Sequence, residues 1–204
     1  MLITFEGIDG SGKSTHIEKL SGFLTERGYE VHLFREPGGT PLSEKIRHIL
    51  LNSADEIHPL AESLLFSAAR AQLVEKKIRP LLETGAIVIL DRFFDSTTAY
   101  QGYGRRVLPL ADIRYLNDIA TQNLKPDLTI YLRLDPASAA NRRKNSRDED
   151  RMEQEGLDFF KRVSDGFDEI AAREPRVVSI DSSRSPEETF RSILEHLEKL
   201  LPVR

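Results

Sequence analysis

The sequence predicts an α/β fold built on a five-stranded parallel sheet with helices on both faces. Three observations carry that prediction. Short apolar runs at residues 3–6, 31–35, 86–90, 128–134 and 177–180 are rich in β-branched side chains. Runs apolar on both faces suit strands buried between layers of helices. Segments long enough for a helix separate them, so strand and helix alternate along the chain. The length of 204 residues fits one domain and allows a core without disulfide or metal support.

Two helices have legible ends. The first is expected over 13–27, stopped by Gly28. In the last, Phe190, Ile193, Leu194, Leu197, Leu200 and Leu201 fall on one helical face. Ser185-Pro186-Glu187-Glu188 ahead of it reads as a capping box with proline at the first helical position.

Composition narrows the function. Hydrophobic residues make up 39% and charged residues 30%, which excludes a membrane protein and a disordered chain. No apolar run approaches the roughly 18 residues of a membrane span. With no cysteine there is no disulfide, thiolate metal site or cysteine nucleophile. Met1 to Glu6 has neither a basic start nor a long apolar run, so it reads as a first strand rather than a signal peptide, and the expected location is cytoplasmic. Lys and Arg number 29 against 33 Asp and Glu, a net charge of −4, which argues against nucleic acid as a partner. His16, His32, His48, His58 and His196 lack ligand spacing. Residues 141–151 contain no apolar side chain; they read either as a solvated loop or as a mobile basic lid, at about 141–152, over a phosphate site.

The strongest motif is Gly7-Ile8-Asp9-Gly10-Ser11-Gly12-Lys13-Ser14, followed by Thr15. It matches G-x-x-x-x-G-K-[ST] and lies between a predicted strand and a predicted helix, as a phosphate loop must. Its glycines let backbone N–H groups converge on a phosphate, and the helix N-terminus adds donors and a positive dipole end. Lys13 supplies charge to the β- and γ-phosphates, and the Ser14 hydroxyl is placed for Mg²⁺. Asp91, delivered by an apolar strand to the C-terminal sheet edge, is the candidate second metal-side group, directly or through water.

These features define a P-loop nucleotide-binding domain, a class that includes switch GTPases, ATPases and small-molecule kinases. The guanine-reading Asn-Lys-x-Asp pattern is absent, since Leu124 precedes Lys125-Pro126-Asp127. A regulatory ATPase would have no use for a second nucleotide site.

Five further segments bear on such a second site through the family they resemble. They are Arg35-Glu36-Pro37-Gly38-Gly39-Thr40, Leu64-Leu65-Phe66-Ser67-Ala68-Ala69-Arg70, Asp91-Arg92-Phe93-Phe94-Asp95-Ser96-Thr97-Thr98-Ala99-Tyr100-Gln101-Gly102, Lys125-Pro126-Asp127-Leu128 and Asp150-Arg151-Met152-Glu153. Together, in this order over nearly the whole chain, they resemble the bacterial thymidylate kinase family. The resemblance implies transfer of the γ-phosphoryl of Mg-ATP to dTMP by a single kinase domain, in a homodimer, with no nucleic acid or membrane partner.

It also implies roles residue by residue. Phe66 stacks on the thymine ring and Arg70, one turn on, bonds the base edge. Arg92 holds the acceptor phosphate, with Arg35 a further candidate nearby. Pro37 packs beside the nucleotide, and Tyr100 crowds the position of a 2′-hydroxyl. Ser96, Thr97 and Gln101 line the same pocket, and Asp9 reaches the acceptor sugar or orients arginines. Some family members carry arginine directly after that acid; here the position is Gly10. Charge at the transition state must then come from the lid, which offers Arg142, Arg143, Arg147 and Arg151. Arg147 is the first choice and Arg143 the second.

Overall fold

The structure is a computed structural model that describes residues 1–53, 56–143 and 155–201. Five parallel strands form one sheet in the order β2-β3-β1-β4-β5. These are β1 (Leu2–Glu6), β2 (Val31–Arg35), β3 (Ile87–Asp91), β4 (Leu128–Arg133) and β5 (Val177–Asp181). β1 lies at the centre, flanked by β3 and β4 in parallel register. The chain leaves β1 for the β2–β3 side and later crosses to the β4–β5 side. The C-terminal end of β1 is therefore a topological switch point, where open α/β sheets bind ligands.

Alternation along each strand sends side chains to two helix layers. Ile3, Phe5, Ile89 and Ile130 meet Ile17, Leu20 and Leu24 of α1 (Lys13–Glu26). Phe190, Ile193 and Leu197 of the last helix join that layer. On the opposite face, Leu2, Val88 and Leu90 pack with Leu73 of α3 (Pro59–Leu73), which follows α2 (Pro41–Asn52). A π-helical turn at Val74–Ile78 carries α3 into α4 (Arg79–Glu83). Tyr131 meets Phe167 of α8 (Leu157–Arg173) at 5.1 Å between ring centres, nearly parallel. Between β3 and β4 run α5 (Phe94–Thr97), a π-helical stretch at Thr98–Gly104 and α6 (Leu110–Thr121). α7 (Pro136–Arg143) follows β4.

All five predicted strands form, within a residue or two of the predicted bounds. β2 differs in exposure. It is an edge strand and Leu33 is 43% exposed, so its apolar run does not mean burial on both faces. The last helix, α9 (Pro186–Leu197), has the expected capping box, Ser185 and Glu188 bonding reciprocally. It ends before Leu200 and Leu201, whose N–H groups both bond the Leu197 carbonyl. The lid expected at about 141–152, with Arg147, lies outside the described residues from 144 on, as do Asp150 to Glu153.

Candidate active site

The phosphate loop opens where β1 ends. Gly7 has φ +131°, and a Cβ there would stand 2.6 Å from the Leu132 carbonyl oxygen. Gly10, at φ +88°, is equally confined by the Ala139 carbonyl oxygen at 2.6 Å. Both positions need glycine for backbone conformation and for close approach. Ile8 and Ser11 are buried behind the loop. Ser182 Oγ, beyond β5, donates to the Ser11 carbonyl at 2.5 Å and ties the loop to the sheet.

Lys13 folds back over the loop, its Nζ donating to the Gly7 and Ile8 carbonyls at 3.1 and 3.3 Å. Burial, then the charge of Arg92, pulls its ammonium below the ordinary lysine range, and Asp9 opposes that shift. Asp9 Oδ1 meets Lys13 Nζ at 3.5 Å and Arg92 Nη2 at 2.8 Å. An acid beside a phosphate site here serves to bracket two cations.

Arg92 follows β3 with φ 71°, a left-handed conformation rare for a residue with a side chain. Its Nη1 donates to the Gly7 carbonyl and to Ser96 Oγ, both at 3.0 Å. Nη2 also reaches Tyr100 Oη at 3.3 Å, beneath a guanidinium 5.1 Å from the ring centre. One side chain thus joins the phosphate loop to the segment carrying Ser96 and Tyr100. Burial pushes the Tyr100 phenol well above its usual value.

Glu6, the last residue of β1, supports this arrangement from behind. It is fully buried and accepts from Phe93 N at 2.8 Å, Ser96 N at 3.3 Å and Ser96 Oγ at 2.5 Å. Nothing in its sequence setting singled it out. Asp91 ends β3 with its Oδ1 buried and without a hydrogen-bond partner among the described residues.

A cavity of about 590 Å³ runs between the phosphate loop and α3. Asp9, Gly10, Gly12, Lys13, Ser14 and Thr15 line one end. Pro37, Phe66, Ser96, Thr97, Tyr100 and Gln101 line the other, with Asp91, Arg92 and Arg35 also in its wall. Phe66 projects from the middle of α3, half-buried, and Pro37 follows a cis peptide bond after Glu36.

Arg70 is placed differently from the rest. It is 2% exposed and is not among the cavity-lining residues. Its Nε donates to Glu36 Oε2 at 2.8 Å, Nη2 to the Phe93 carbonyl at 3.2 Å and Nη1 to Asn117 Oδ1 at 3.4 Å. Arg143 ends α7, and only its backbone is described.

Sequence reasoning assigned no role to Glu36, Arg47 or Leu51, yet all three line the cavity. Glu36 lies in the segment Arg35 to Thr40, but the local pattern does not show which way its side chain turns. Arg47 donates to the Pro37 carbonyl at 3.0 Å across a helix–loop contact that sequence spacing does not reveal. Arg142 also reaches the site, donating to the Ser182 carbonyl at 3.0 Å and to the Gly10 carbonyl at 3.5 Å.

A phosphate loop at the switch point of a parallel sheet, facing a second pocket with an aromatic wall, defines a P-loop nucleotide kinase. The thymidylate kinase family model matches residues 5–193. A thymidylate kinase of Chlorobaculum parvum is 52% identical, the alignment covering 98% of this chain and 96% of that protein. One of a Thermoanaerobacter species is 44% identical, with 98% of each chain covered. The crystal structure of thymidylate kinase from Ehrlichia chaffeensis superposes with a TM-score of 0.80 at 37% identity, covering 97% of this chain and 98% of that one. The chain belongs to the thymidylate kinase family, whose activity is phosphorylation of dTMP to dTDP.

Proposed function

We propose that the cavity carries out this transfer with ATP phosphates on the loop 7–15 and dTMP in the pocket walled by Phe66 and Tyr100. The observation that supports it is Arg92, whose guanidinium spans from the phosphate-loop carbonyl of Gly7 to Ser96 and Tyr100 on the acceptor side. A charge at that junction can bind the acceptor phosphate and stay close to the transferring group. Lys13 neutralises the β- and γ-phosphates, and Asp9 orients both cations. The acceptor phosphate is itself the nucleophile, so no general base is needed; positioning and charge neutralisation carry the catalysis.

Ser14 and Asp91 would hold Mg²⁺. The unpartnered, buried Oδ1 of Asp91 and the exposed Ser14 hydroxyl share the cavity wall, a set of hard oxygen donors that fits this cation. When bound, Mg²⁺ supplies charge neutralisation across the phosphate oxygens. Phe66 stacks on the base, Pro37 walls the nucleotide, and Tyr100, with Ser96, Thr97 and Gln101, surrounds the sugar and base. Arg70 reads the base edge through a shift of its present partners, and Arg147, then Arg143, meets the donor phosphates. One kinase domain over 1–204, with its lid at about 141–152, works in the cytoplasm on these small-molecule substrates.

The homodimer is supported by large apolar side chains left exposed on neighbouring helices. They are Leu42 and Ile49 on α2, Leu60 and Leu64 on α3, and Tyr115 and Ile119 on α6.

ADP release with Mg-ATP against a panel of nucleoside monophosphates tests the reading. A strong dTMP signal over an ATP-only blank is expected. Arg92→Ala should keep the fold and lower kcat/KM for dTMP at least about a hundredfold, as loss of a transition-state charge contact does. Near-normal turnover in that folded variant would remove Arg92 from the mechanism.

A further inference from the structure

We propose that Glu62, which has no place in the reading above, sets base selectivity by fixing which end of the Gln101 amide faces the acceptor pocket. The inference rests on that reading's placement of the acceptor base beside Phe66 and Gln101. Glu62, Phe66 and Arg70 recur every fourth residue on α3 and so share one face of the helix. Glu62 is 0% exposed. Arg105 Nε donates to its Oε1 at 2.7 Å, and Gln101 Nε2 donates to the same oxygen at 2.9 Å. Arg105 is held from its other side by Glu155, 2.8 Å from Nη1.

A carboxylate paired with a guanidinium only accepts hydrogen bonds, whereas a primary amide has one donating end and one accepting end. Against Glu62 only the NH₂ end of Gln101 is satisfied. Turning the amide over would set its oxygen against a buried carboxylate oxygen and leave both acceptors unmatched. With Nε2 engaged, Oε1 is the amide atom left for the cavity that Gln101 lines. No donor among the described residues meets it.

An acceptor fixed in the wall of a base pocket selects a ring N–H. Thymine and uracil carry a proton on N3. Cytosine has a lone pair there, which would face the lone pairs of Oε1. A site built to bond an N–H strongly rejects an analogue that lacks it. Gln101 reads the base, and Glu62 is the positioning residue that decides what Gln101 asks for. The contact does not distinguish dTMP from dUMP, because both present the same N3–H.

The test compares kcat and KM for dTMP and dCMP in the unsubstituted enzyme, Glu62→Gln, Gln101→Met and the double variant. The Glu62→Gln amide keeps the side-chain volume but can present either a donor or an acceptor, which releases the lock. About a tenfold rise in KM for dTMP is expected, with a smaller change in kcat, as for loss of one hydrogen bond in a binding site. The dCMP-to-dTMP ratio of kcat/KM should rise by a similar factor. In the Gln101→Met background the Glu62 substitution should move that ratio no further, because the two residues act as one unit. A ratio unchanged in folded Glu62→Gln, or equal losses toward both nucleotides, would overturn the proposal and leave Glu62 a structural ion-pair partner. If Glu62→Gln does not fold, Glu62→Asp keeps a charge for Arg105 while withdrawing it from Gln101, and the same two outcomes decide. An unsubstituted enzyme that phosphorylates dCMP as readily as dTMP would instead sink the base-pocket reading itself, before any variant is measured.

Discussion

Glu6 sits at the end of the central strand, sealed from water, with its oxygens turned toward Phe93 and Ser96. Burial, and then the neighbouring charge of Asp95, raise its pKa from 4.5 to about 8; the hydrogen bond from Ser96, the charge of Arg92 and the hydrogen bond from the Phe93 amide pull the other way. A carboxyl that binds its proton more tightly folded than unfolded loses stability as pH rises between its two pKa values. For Glu6 that window runs from 4.5 to about 8, and the loss is complete above it. Glu6→Gln cannot ionise, so relative to the unsubstituted protein its stability should improve as pH rises through the window. Urea midpoints of the two proteins at pH values near the ends of the window check this, and a difference independent of pH would refute it. At this scale the phosphate loop was legible because its chemistry needs fixed residue types at fixed spacing. Glu6, Glu36 and Glu62 were not, because their partners lie on elements distant in sequence, and Arg47 was not, because its bond to the Pro37 carbonyl depends on how α2 folds back on the loop before it.

The elements themselves show what local pattern can and cannot specify. Ser185 accepts from Glu188 N at 3.3 Å, while the Glu188 carboxylate accepts from Ser185 N at 3.2 Å, the reciprocal box read from four residues. Ser185→Ala should therefore destabilise the protein by about 1 kcal/mol, the usual loss of an N-cap side chain. It should leave kcat/KM for dTMP unchanged, since α9 packs away from the cavity; thermal unfolding and the ADP assay check the two halves. The end of the same helix was not legible. Leu200 and Leu201 continue its periodicity, but the chain turns after Leu197, and Leu201 still packs against the core. Nor did any pattern announce the π-helical stretch Thr98–Gly104 that carries Tyr100 and Gln101. Short α5 has no side-chain cap of its own; Glu6 at the end of β1 instead accepts from the amide of Phe93, just before the helix, and from that of Ser96 within it.

For the whole molecule, the exposed apolar side chains of α2, α3 and α6 bear on assembly. Leu64 is 50% exposed and Ile119 57%, on α3 and α6, two helices that pack against each other. Leu64→Glu should convert a dimer to a monomer in sedimentation equilibrium at micromolar concentration. An unsubstituted chain that already sediments as a monomer would dispose of the dimer. The sequence by itself determined the strand–helix alternation, the phosphate loop with Lys13 and Ser14, and the family motifs around Arg92, because each is written in contiguous residues. Strand order, the burial of Arg70 against Glu36, the bridge that Arg92 makes between loop and pocket, and the Glu62–Gln101 contact were decided only by tertiary structure. Each depends on side chains from different elements meeting across the sheet's C-terminal edge, where hydrogen-bond direction and burial, rather than spacing along the chain, set which groups face one another.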